Sequence, residues 1–157
     1  MDLAQTADDH FRETGQEGSL IVAKGMSEED IVAFMQWPHA VFCSDGWHGG
    51  HPRGYGSFPR VLGRYVRELG VLTLPAAIHK MTGMTAATLG IRDRGQIKVG
   101  NYADIVVFDP ETIADNATMT NPTAISTGIK HVWVNGMLVF DDGEPTHVYP
   151  GQIISRQ

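Results

Sequence analysis

The sequence has 157 residues, a formal net charge of −6 and a single cysteine. A chain of this length can bury one core, so we expect one domain, or one domain with an appendage. The acidic balance and the lack of a Lys/Arg run argue against a nucleic-acid partner, and one cysteine excludes an internal disulfide and is typical of a reducing cytosol.

The N-terminus and the apolar runs bear on location. The first ten residues, MDLAQTADDH, contain neither a basic region nor an apolar core, so they are not typical of a signal peptide. No apolar run approaches the roughly eighteen residues that a membrane span needs. We therefore expect a cytoplasmic protein with no nucleic-acid partner and no membrane partner.

The segment that ends at residue 43 predicts a strand–helix–strand unit behind a separate first helix. That first helix is predicted from apolar residues at helical spacing within residues 3–11. Residues 19–24 (SLIVAK) form a short apolar run typical of a buried parallel strand. Ser27 can cap a helix whose first turn contains three acids and which Pro38 ends. Residues 40–43 then predict a second buried strand, which completes a βαβ unit.

A Gly-rich loop follows the second predicted strand, and Asp45 lies at its start. A carboxylate at the C-terminal end of a buried strand, followed by a long loop, is how open-ended α/β enzymes build an active site. An Asp-Gly pair is also a common turn. The local pattern leaves both interpretations of Asp45 open.

Three helical segments are predicted after the loop. Ser57 is expected to cap a helix with an apolar stripe, and Gly70 is expected to end it. Thr73 is expected to cap the next helix, residues 74–81, and a short helical turn begins at Thr85. The first of these helices also has a basic face, which predicts a solvated or interdomain surface; it is formed by Arg60, Arg64 and Arg67.

Beyond about residue 91 the pattern changes to short strands. Residues 96–98 and 103–108 predict two strands. Residues 131–134 and 137–140 predict a hairpin around Asn135-Gly136, a pair typical of a type I′ turn. We therefore divide the chain into an α/β region, residues 1–90, and a β region, residues 91–157.

Four motifs together resemble one family. They are SDG at residues 44–46, HPR at 51–53, YGSFPRVLGRYVRELG at 55–70 and KMTGMTAATLGIRDRGQIKVGNYADIVVFDP at 80–110. This series resembles the C-terminal portion of the N-acyl-D-amino-acid deacylases (D-aminoacylases), which belong to the metal-dependent amidohydrolase superfamily. Members of that family run to several hundred residues. The resemblance implies an α/β fold in which residues 1–90 are the last strands and helices of a TIM-like (β/α)8 amidohydrolase barrel and residues 91–157 are a small β-sandwich piece.

The resemblance also implies roles for three side chains. Asp45 corresponds to the family aspartate at the end of the eighth barrel strand, which takes a proton from metal-bound water and passes one to the leaving amine. Arg53 corresponds to the arginine that binds the α-carboxylate of the substrate, a contact that suits its planar guanidinium. Tyr55 is expected to line the same pocket.

The complete family enzyme uses zinc, but no metal-ligating residue is predicted here. The H-x-H motif and the later histidine ligands of the family have no counterpart in this sequence. His48, His51 and His39 are not rigidly placed with metal-ligand spacing, and Cys43 is expected to be a small buried apolar side chain. We expect this chain alone to bind no zinc.

Two functions are compatible with the sequence. The first is a zinc-dependent hydrolase that deacylates N-acyl-D-amino acids to a D-amino acid and a carboxylate, present here as a fragment without its metal-binding half. The second is a non-catalytic truncated remnant or binding module that keeps the end of the fold. The expected partners are a small-molecule N-acyl amino acid and either a complementing N-terminal chain or further copies of this chain, since unpaired barrel strands leave open edges.

Overall fold

The computed structural model of the protein describes residues 25–46 and 51–154. The chain divides into two units, residues 1–34 and 35–157, and the second contains nearly all of the described structure. The predicted helix at residues 3–11 and the predicted strand at residues 19–24 lie outside the described residues. Within the described part, no helix is long and apolar enough to cross a membrane.

Helix α1, Glu28–Gln36, begins at a reciprocal cap. The hydroxyl of Ser27 accepts the N–H of Asp30 at 3.2 Å, and the carboxylate of Asp30 accepts the N–H of Ser27 at 3.0 Å. These two bonds satisfy main-chain donors that a helix N-terminus otherwise leaves free. The helix ends before Pro38, so the predicted start and stop are both confirmed.

The predicted strand at residues 40–43 is wrong, because residues 40–46 have no regular secondary structure. A strand needs a hydrogen-bonded neighbour, and no strand lies beside this segment in the part of the chain that the structure describes. Its carbonyls are bound by side chains instead. The ammonium of Lys80 donates to the Ala40 carbonyl at 3.1 Å, and the Ser57 hydroxyl is 3.5 Å from the Ser44 carbonyl.

Helix α2, Arg53–Arg60, begins five residues earlier than a cap at Ser57 predicts and continues without a break as a π-helix, Val61–Glu68. Ser57 does not cap it, because its hydroxyl donates to the Arg53 carbonyl one turn back, at 2.7 Å. Pro52 holds the N-cap position instead, with a φ of −61°. The π-helix ends as predicted at Gly70, whose φ is +61°.

Two shorter helices follow. Helix α3, Leu74–Met81, has the predicted bounds, and the hydroxyl of Thr73 caps it by accepting the Ala76 N–H at 3.3 Å. Helix α4, Gly83–Leu89, begins two residues before the predicted turn and ends at Gly90 in the left-handed conformation.

A four-stranded antiparallel sheet follows the helices, with strand order β1-β2-β3-β4. The strands are β1, Ile105–Phe108; β2, Ile129–Val134; β3, Met137–Asp141; and β4, Glu144–Pro145. The predicted hairpin is confirmed as β2–β3, and Asn135 and Gly136 both have positive φ, as a type I′ turn requires.

The predicted strand at residues 96–98 is wrong. The segment closes on itself instead, because the Tyr102 N–H donates to the Asp93 carbonyl at 3.0 Å and the Asn101 amide donates to the Gln96 carbonyl at 3.2 Å. These local bonds take the place of bonds to the sheet, and Ile97 is left exposed.

The core lies between the helices and the long connection from β1 to β2. Its buried side chains are Val61, Leu62, Ala77 and Ile113. Arg67 fastens the connection to the π-helix by donating to the carbonyls of Pro110 and Ile113, at 3.1 and 2.7 Å. Arg67 belongs to the basic face that was predicted to be solvated or interdomain. Its contact is with the connection between β1 and β2, which lies in the predicted β region.

The chain is thus a mixed α/β fragment in which helices precede an antiparallel sheet. The described ranges contain no parallel strand pair, and the assignment of residues 1–90 to the end of a barrel stays a prediction. The division of the chain at residue 90 stays a prediction.

Candidate active site

Asp45 lies in the irregular segment between α1 and α2, and its backbone has a φ of +45°. This left-handed conformation is uncommon for residues other than glycine, although Asp and Asn tolerate it best. It turns the chain sharply at the point where the predicted strand would have ended. The carboxylate projects into solvent and is 71% exposed.

The segment before Asp45 is anchored by Lys80 of α3, which is 7% exposed. Its ammonium donates to the carbonyls of Trp37 and Ala40, at 2.6 and 3.1 Å. A buried ammonium is costly unless its donors are used, so these two bonds hold α3 and the segment together. Lys80 therefore positions the chain that leads to Asp45.

Arg53, the first residue of α2, contacts Asp45 twice. Its Nε donates to the Asp45 carbonyl at 2.9 Å, and its Nη2 is 3.1 Å from the Asp45 carboxylate. Both side chains are well exposed, at 42% and 71%. The structure therefore brings together the predicted proton carrier and the predicted carboxylate-binding arginine.

A cleft of about 360 Å³ opens beside Arg53, between α2 and the connection from β1 to β2. Arg60 and Asp115 both line it, and Arg60 Nη1 is 3.0 Å from the Asp115 carboxylate. Burial opposes the charge of Arg60, but hydrogen bonding and charge interactions with Asp115 and Tyr65 together outweigh it and raise the pKa of Arg60. The other lining residues are His51, Pro52, Gly56, Ser57, Ala117, Thr118 and Met119.

Tyr55 lies on the opposite side of α2 from this cleft. It lines an apolar groove together with Phe58 and Ile78, and its carbonyl accepts the Ser126 hydroxyl at 3.0 Å. Its predicted contact with substrate stays a prediction, since in this structure Tyr55 and Arg53 border different cavities.

The residues that the structure describes do not fit a metal centre, since no group of three or more His, Cys, Asp or Glu side chains is placed to hold an ion. His51 Nδ1 accepts the N–H of Arg53 at 3.1 Å, and the ring of His39 packs edge-on against Trp37. His48 lies outside the described residues. Cys43 is exposed, so the prediction that it is buried is wrong; the strand expected to bury it does not form.

Sequence reasoning missed Lys80 and Asp115. Asp115 is 55 residues from Arg60, and Lys80 is 40 residues from Ala40, so neither contact leaves a local pattern. The sequence gives one indication that Lys80 is buried. Lys80 lies on the same helix as Ala77, which is in the core, and Ile78, which packs against the core.

The chain matches the amidohydrolase family over residues 36–140. It is 48% identical over 134 residues to an N-acyl-D-glutamate deacylase of Alcaligenes xylosoxydans xylosoxydans, a match that covers 83% of this chain and 27% of the relative. A crystal structure of D-aminoacylase superposes with a TM-score of 0.75 at 47% identity, covering 78% of this chain and 27% of that one.

A second solved structure carries the same substructure. It is the N-acyl-D-glutamate deacylase of Bordetella bronchiseptica, complexed with zinc and a phosphonate inhibitor that mimics the tetrahedral intermediate. The TM-score is 0.70 at 46% identity, and the match covers 76% of this chain and 27% of that one.

The chain therefore belongs to the amidohydrolase family. Within that family it is homologous to the D-aminoacylases and N-acyl-D-amino-acid deacylases, and it spans about a quarter of the length of the relatives it matches.

Proposed function

We propose that the chain is part of a hydrolase that cleaves the amide of N-acyl-D-amino acids and becomes active when the remainder of a deacylase completes the site. The observation that carries this proposal is the contact between Asp45 and Arg53, because Arg53 also lines the cleft beside α2. Amide hydrolysis of an N-acyl amino acid needs a proton carrier near the scissile bond and a cation for the free carboxylate.

Arg53 is proposed to hold the α-carboxylate of the substrate. In this structure two nitrogens of its guanidinium contact Asp45: one donates to the carbonyl and the other pairs with the carboxylate. A substrate carboxylate can replace the second of these contacts, because an exposed ion pair is worth only about 0–1 kcal/mol. The main-chain contact through Nε would continue to orient the guanidinium.

Asp45 is proposed to transfer protons at the scissile amide. A carboxylate released from Arg53 can accept a proton as the nucleophile adds and return it to the departing nitrogen. Asp45 is exposed in this chain. This exposure is expected if another part of the enzyme forms the other side of the active site. Any zinc would be held by residues other than those described here, since these offer no ligand set.

The test is reconstitution. The full 157-residue chain is co-expressed with the part of the Alcaligenes N-acyl-D-glutamate deacylase that lies outside the matched region, and hydrolysis of N-acetyl-D-glutamate is measured with the L-enantiomer as control. Enantioselective turnover above that of either part alone supports the proposal. A stable complex without turnover would favour a non-catalytic remnant.

Two variants assign the roles in the reconstituted enzyme. Asp45→Asn keeps the shape of the side chain but cannot accept the proton, so kcat should fall while KM changes little. Arg53→Ala removes a contact present in both ground and transition states, so KM should rise about ten- to a hundredfold, which corresponds to about 1.5–3 kcal/mol. Near-full turnover of Asp45→Asn would refute the assignment of the proton carrier.

A further inference from the structure

The turn between β2 and β3, Asn135-Gly136, is a chemically reactive pair. Asparagine is a thermolabile residue, and glycine has no Cβ to keep its nitrogen away from the preceding side chain. In the reaction, the Gly136 nitrogen loses its proton to base and bonds to Asn135 Cγ. The Cγ–Nδ2 bond breaks, and Nδ2 takes a proton and leaves as ammonia. Water then opens the resulting succinimide ring at either carbonyl, which gives aspartate or isoaspartate.

The fold holds both the nitrogen that attacks and the amide that is attacked. The Gly136 N–H donates to the Ala103 carbonyl at 2.9 Å. Asn135 Oδ1 accepts from Arg94 Nη2 at 2.6 Å, and Asn135 Nδ2 donates to the Pro150 carbonyl at 2.7 Å. The reaction requires the Gly136 nitrogen to lose its proton and the Asn135 side chain to rotate toward it. These bonds oppose both movements.

Arg94 is the residue that fixes the amide of Asn135. Its side chain is 11% exposed, pairs with the Asp104 carboxylate and lies over the Tyr102 ring, 4.1 Å from the ring centroid. Asp104 in turn accepts the main-chain N–H of Asn135 at 2.8 Å. Arginine has donors only, so the oxygen of the amide faces Arg94 and its nitrogen is left for the Pro150 carbonyl.

We propose that Asn135 is a site of spontaneous deamidation that Arg94 protects in the folded chain, so that the modification takes place when the hairpin turn opens. Opening means that the turn separates from Arg94, Ala103 and Pro150. Local openings of this kind occur without global unfolding. The rate of modification in the folded chain is then the rate of an unrestrained Asn-Gly pair multiplied by the fraction of chains whose turn is open.

Either product hinders the turn from closing again. An aspartate at this position has no donor for the Pro150 carbonyl and adds a second carboxylate beside Asp104. An isoaspartate routes the main chain through the side-chain carbon, which lengthens the turn and disturbs the pairing of Val134 with Met137. The modification is therefore expected to weaken the hairpin, independently of the proposed hydrolase activity.

The experiment compares the folded chain with the unfolded chain. The full 157-residue protein is incubated at mildly alkaline pH with and without guanidinium chloride, and deamidation at each asparagine is followed by mass spectrometry of its peptides. We expect Asn135 to react at least about tenfold more slowly in the folded chain. Asn101 and Asn116, which precede tyrosine and alanine, are internal controls and should react more slowly than Asn135 in the unfolded chain.

A matched pair of variants tests the role of Arg94. Arg94→Met keeps the length of the side chain but has no donor, so Asn135 in the folded variant should react about ten- to a hundredfold faster than in the parent chain. Arg92→Met changes an exposed arginine two positions away and should leave the rate within about twofold. In guanidinium chloride all three proteins should react at the same rate. If Arg94→Met does not fold, the comparison of folded and unfolded parent chain decides.

Two results would overturn the proposal. Equal rates at Asn135 in the folded and unfolded parent chain would show that the fold gives no protection. A slower reaction in folded Arg94→Met than in the parent would show that Arg94 assists the attack, by stabilising negative charge on Oδ1, instead of preventing it. The effect on the hairpin has its own test: Asn135→Asp reproduces one product and should unfold at a lower temperature than the parent, and equal midpoints would refute that effect.

Discussion

The carboxylate of Asp45 and the guanidinium of Arg53 lie 3.1 Å apart, so the two groups that we propose for catalysis and substrate binding contact each other in the free chain. Both are exposed, and water and salt screen such a pair strongly. The pair therefore keeps the two groups close, and a substrate that binds to Arg53 would need little free energy to separate them.

This weakness predicts that Asp45→Asn leaves the stability of the isolated chain almost unchanged. The lost ion pair is worth about 0–1 kcal/mol, and asparagine tolerates the left-handed backbone at this position as well as aspartate does. Urea unfolding of the two proteins measures the difference. A loss above about 2 kcal/mol would mean that Asp45 is structural, and any loss of turnover in the variant would then need another explanation.

Lys80 is expected to be essential for the stability of the segment that leads to Asp45. Lys80→Met keeps the length of the side chain but removes the donors to the carbonyls of Trp37 and Ala40, at an expected cost of about 1.5–3 kcal/mol. The matched control is Lys98→Met, which changes an exposed lysine and should cost no more than about 0.5 kcal/mol. Equal effects in chemical unfolding would show that the two carbonyl bonds contribute nothing.

Replacing Gly63 by alanine is expected to lower the stability of the chain, whereas the same change at an ordinary helix glycine raises it. Gly→Ala within a helix usually stabilises by about 0.5–1 kcal/mol. A Cβ at Gly63 would lie 2.6 Å from the Ile113 carbonyl oxygen, so the π-helix and the connection would have to separate. We expect Gly63→Ala to destabilise the chain by about 1–3 kcal/mol.

Gly56 provides the comparison for that experiment. A Cβ there would first meet the Asp115 side chain, at 3.0 Å, rather than main chain. That atom is the Asp115 Cβ, which moves only with its main chain, but an approach of 3.0 Å is less severe than the 2.6 Å approach at Gly63, so Gly56→Ala should cost less than Gly63→Ala. Thermal unfolding of both variants gives the order, and a reversed order would contradict the packing described between Gly63 and Ile113.

Asp109 predicts a pH dependence of stability. Its carboxylate accepts the Glu111 N–H at 2.9 Å, and this bond, with a smaller contribution from the Thr112 side chain, lowers the pKa of Asp109 below its ordinary value of 3.8. A lowered pKa in the folded state means that the ionised form stabilises the fold. That contribution is fully present above pH 3.8 and disappears as the pH falls through the lowered value.

The measurement compares thermal midpoints of the parent chain and Asp109→Asn between about pH 2 and 7. The variant has no charge to lose at this position, so the parent should be the more stable protein at neutral pH and the gap should close on acidification. A gap that does not vary with pH would show that ionisation of Asp109 is not coupled to folding.

Local chemistry explains which elements the sequence could predict. Ser27 and Thr73 each cap a helix through a side-chain oxygen three residues from its N–H partner, and the Asn135-Gly136 pair determines its own turn. The strand predicted at residues 40–43 depends on neighbours that a local pattern does not contain. The same limitation applies to Ile113, which lies in a polar connection and is 1% exposed because Val61 and Leu62 cover it.

The sequence likewise predicted one part of the candidate site and not another. Asp45 and Arg53 are eight residues apart, and the turn at Asp45 brings them together. Tyr55 follows Arg53 by two positions, and on a helix two positions rotate a side chain by about 200°, to the far side. The motif alone could not show this, because the helix was predicted to begin only at Ser57 and the stretch with both residues was treated as a loop.

The strand order β1-β2-β3-β4 has a consequence for how the chain folds. Every strand pairs with its neighbour in sequence, and β2 and β3 are joined by the two residues Asn135 and Gly136. Short-range pairing of this kind is fast, since isolated hairpins form in about 1–10 μs. Contacts such as Arg67 with Ile113 must first close a loop, because the two residues are 46 positions apart. We therefore expect the sheet to be the nucleus on which the helices assemble during refolding, with the connection around Ile113 docking last.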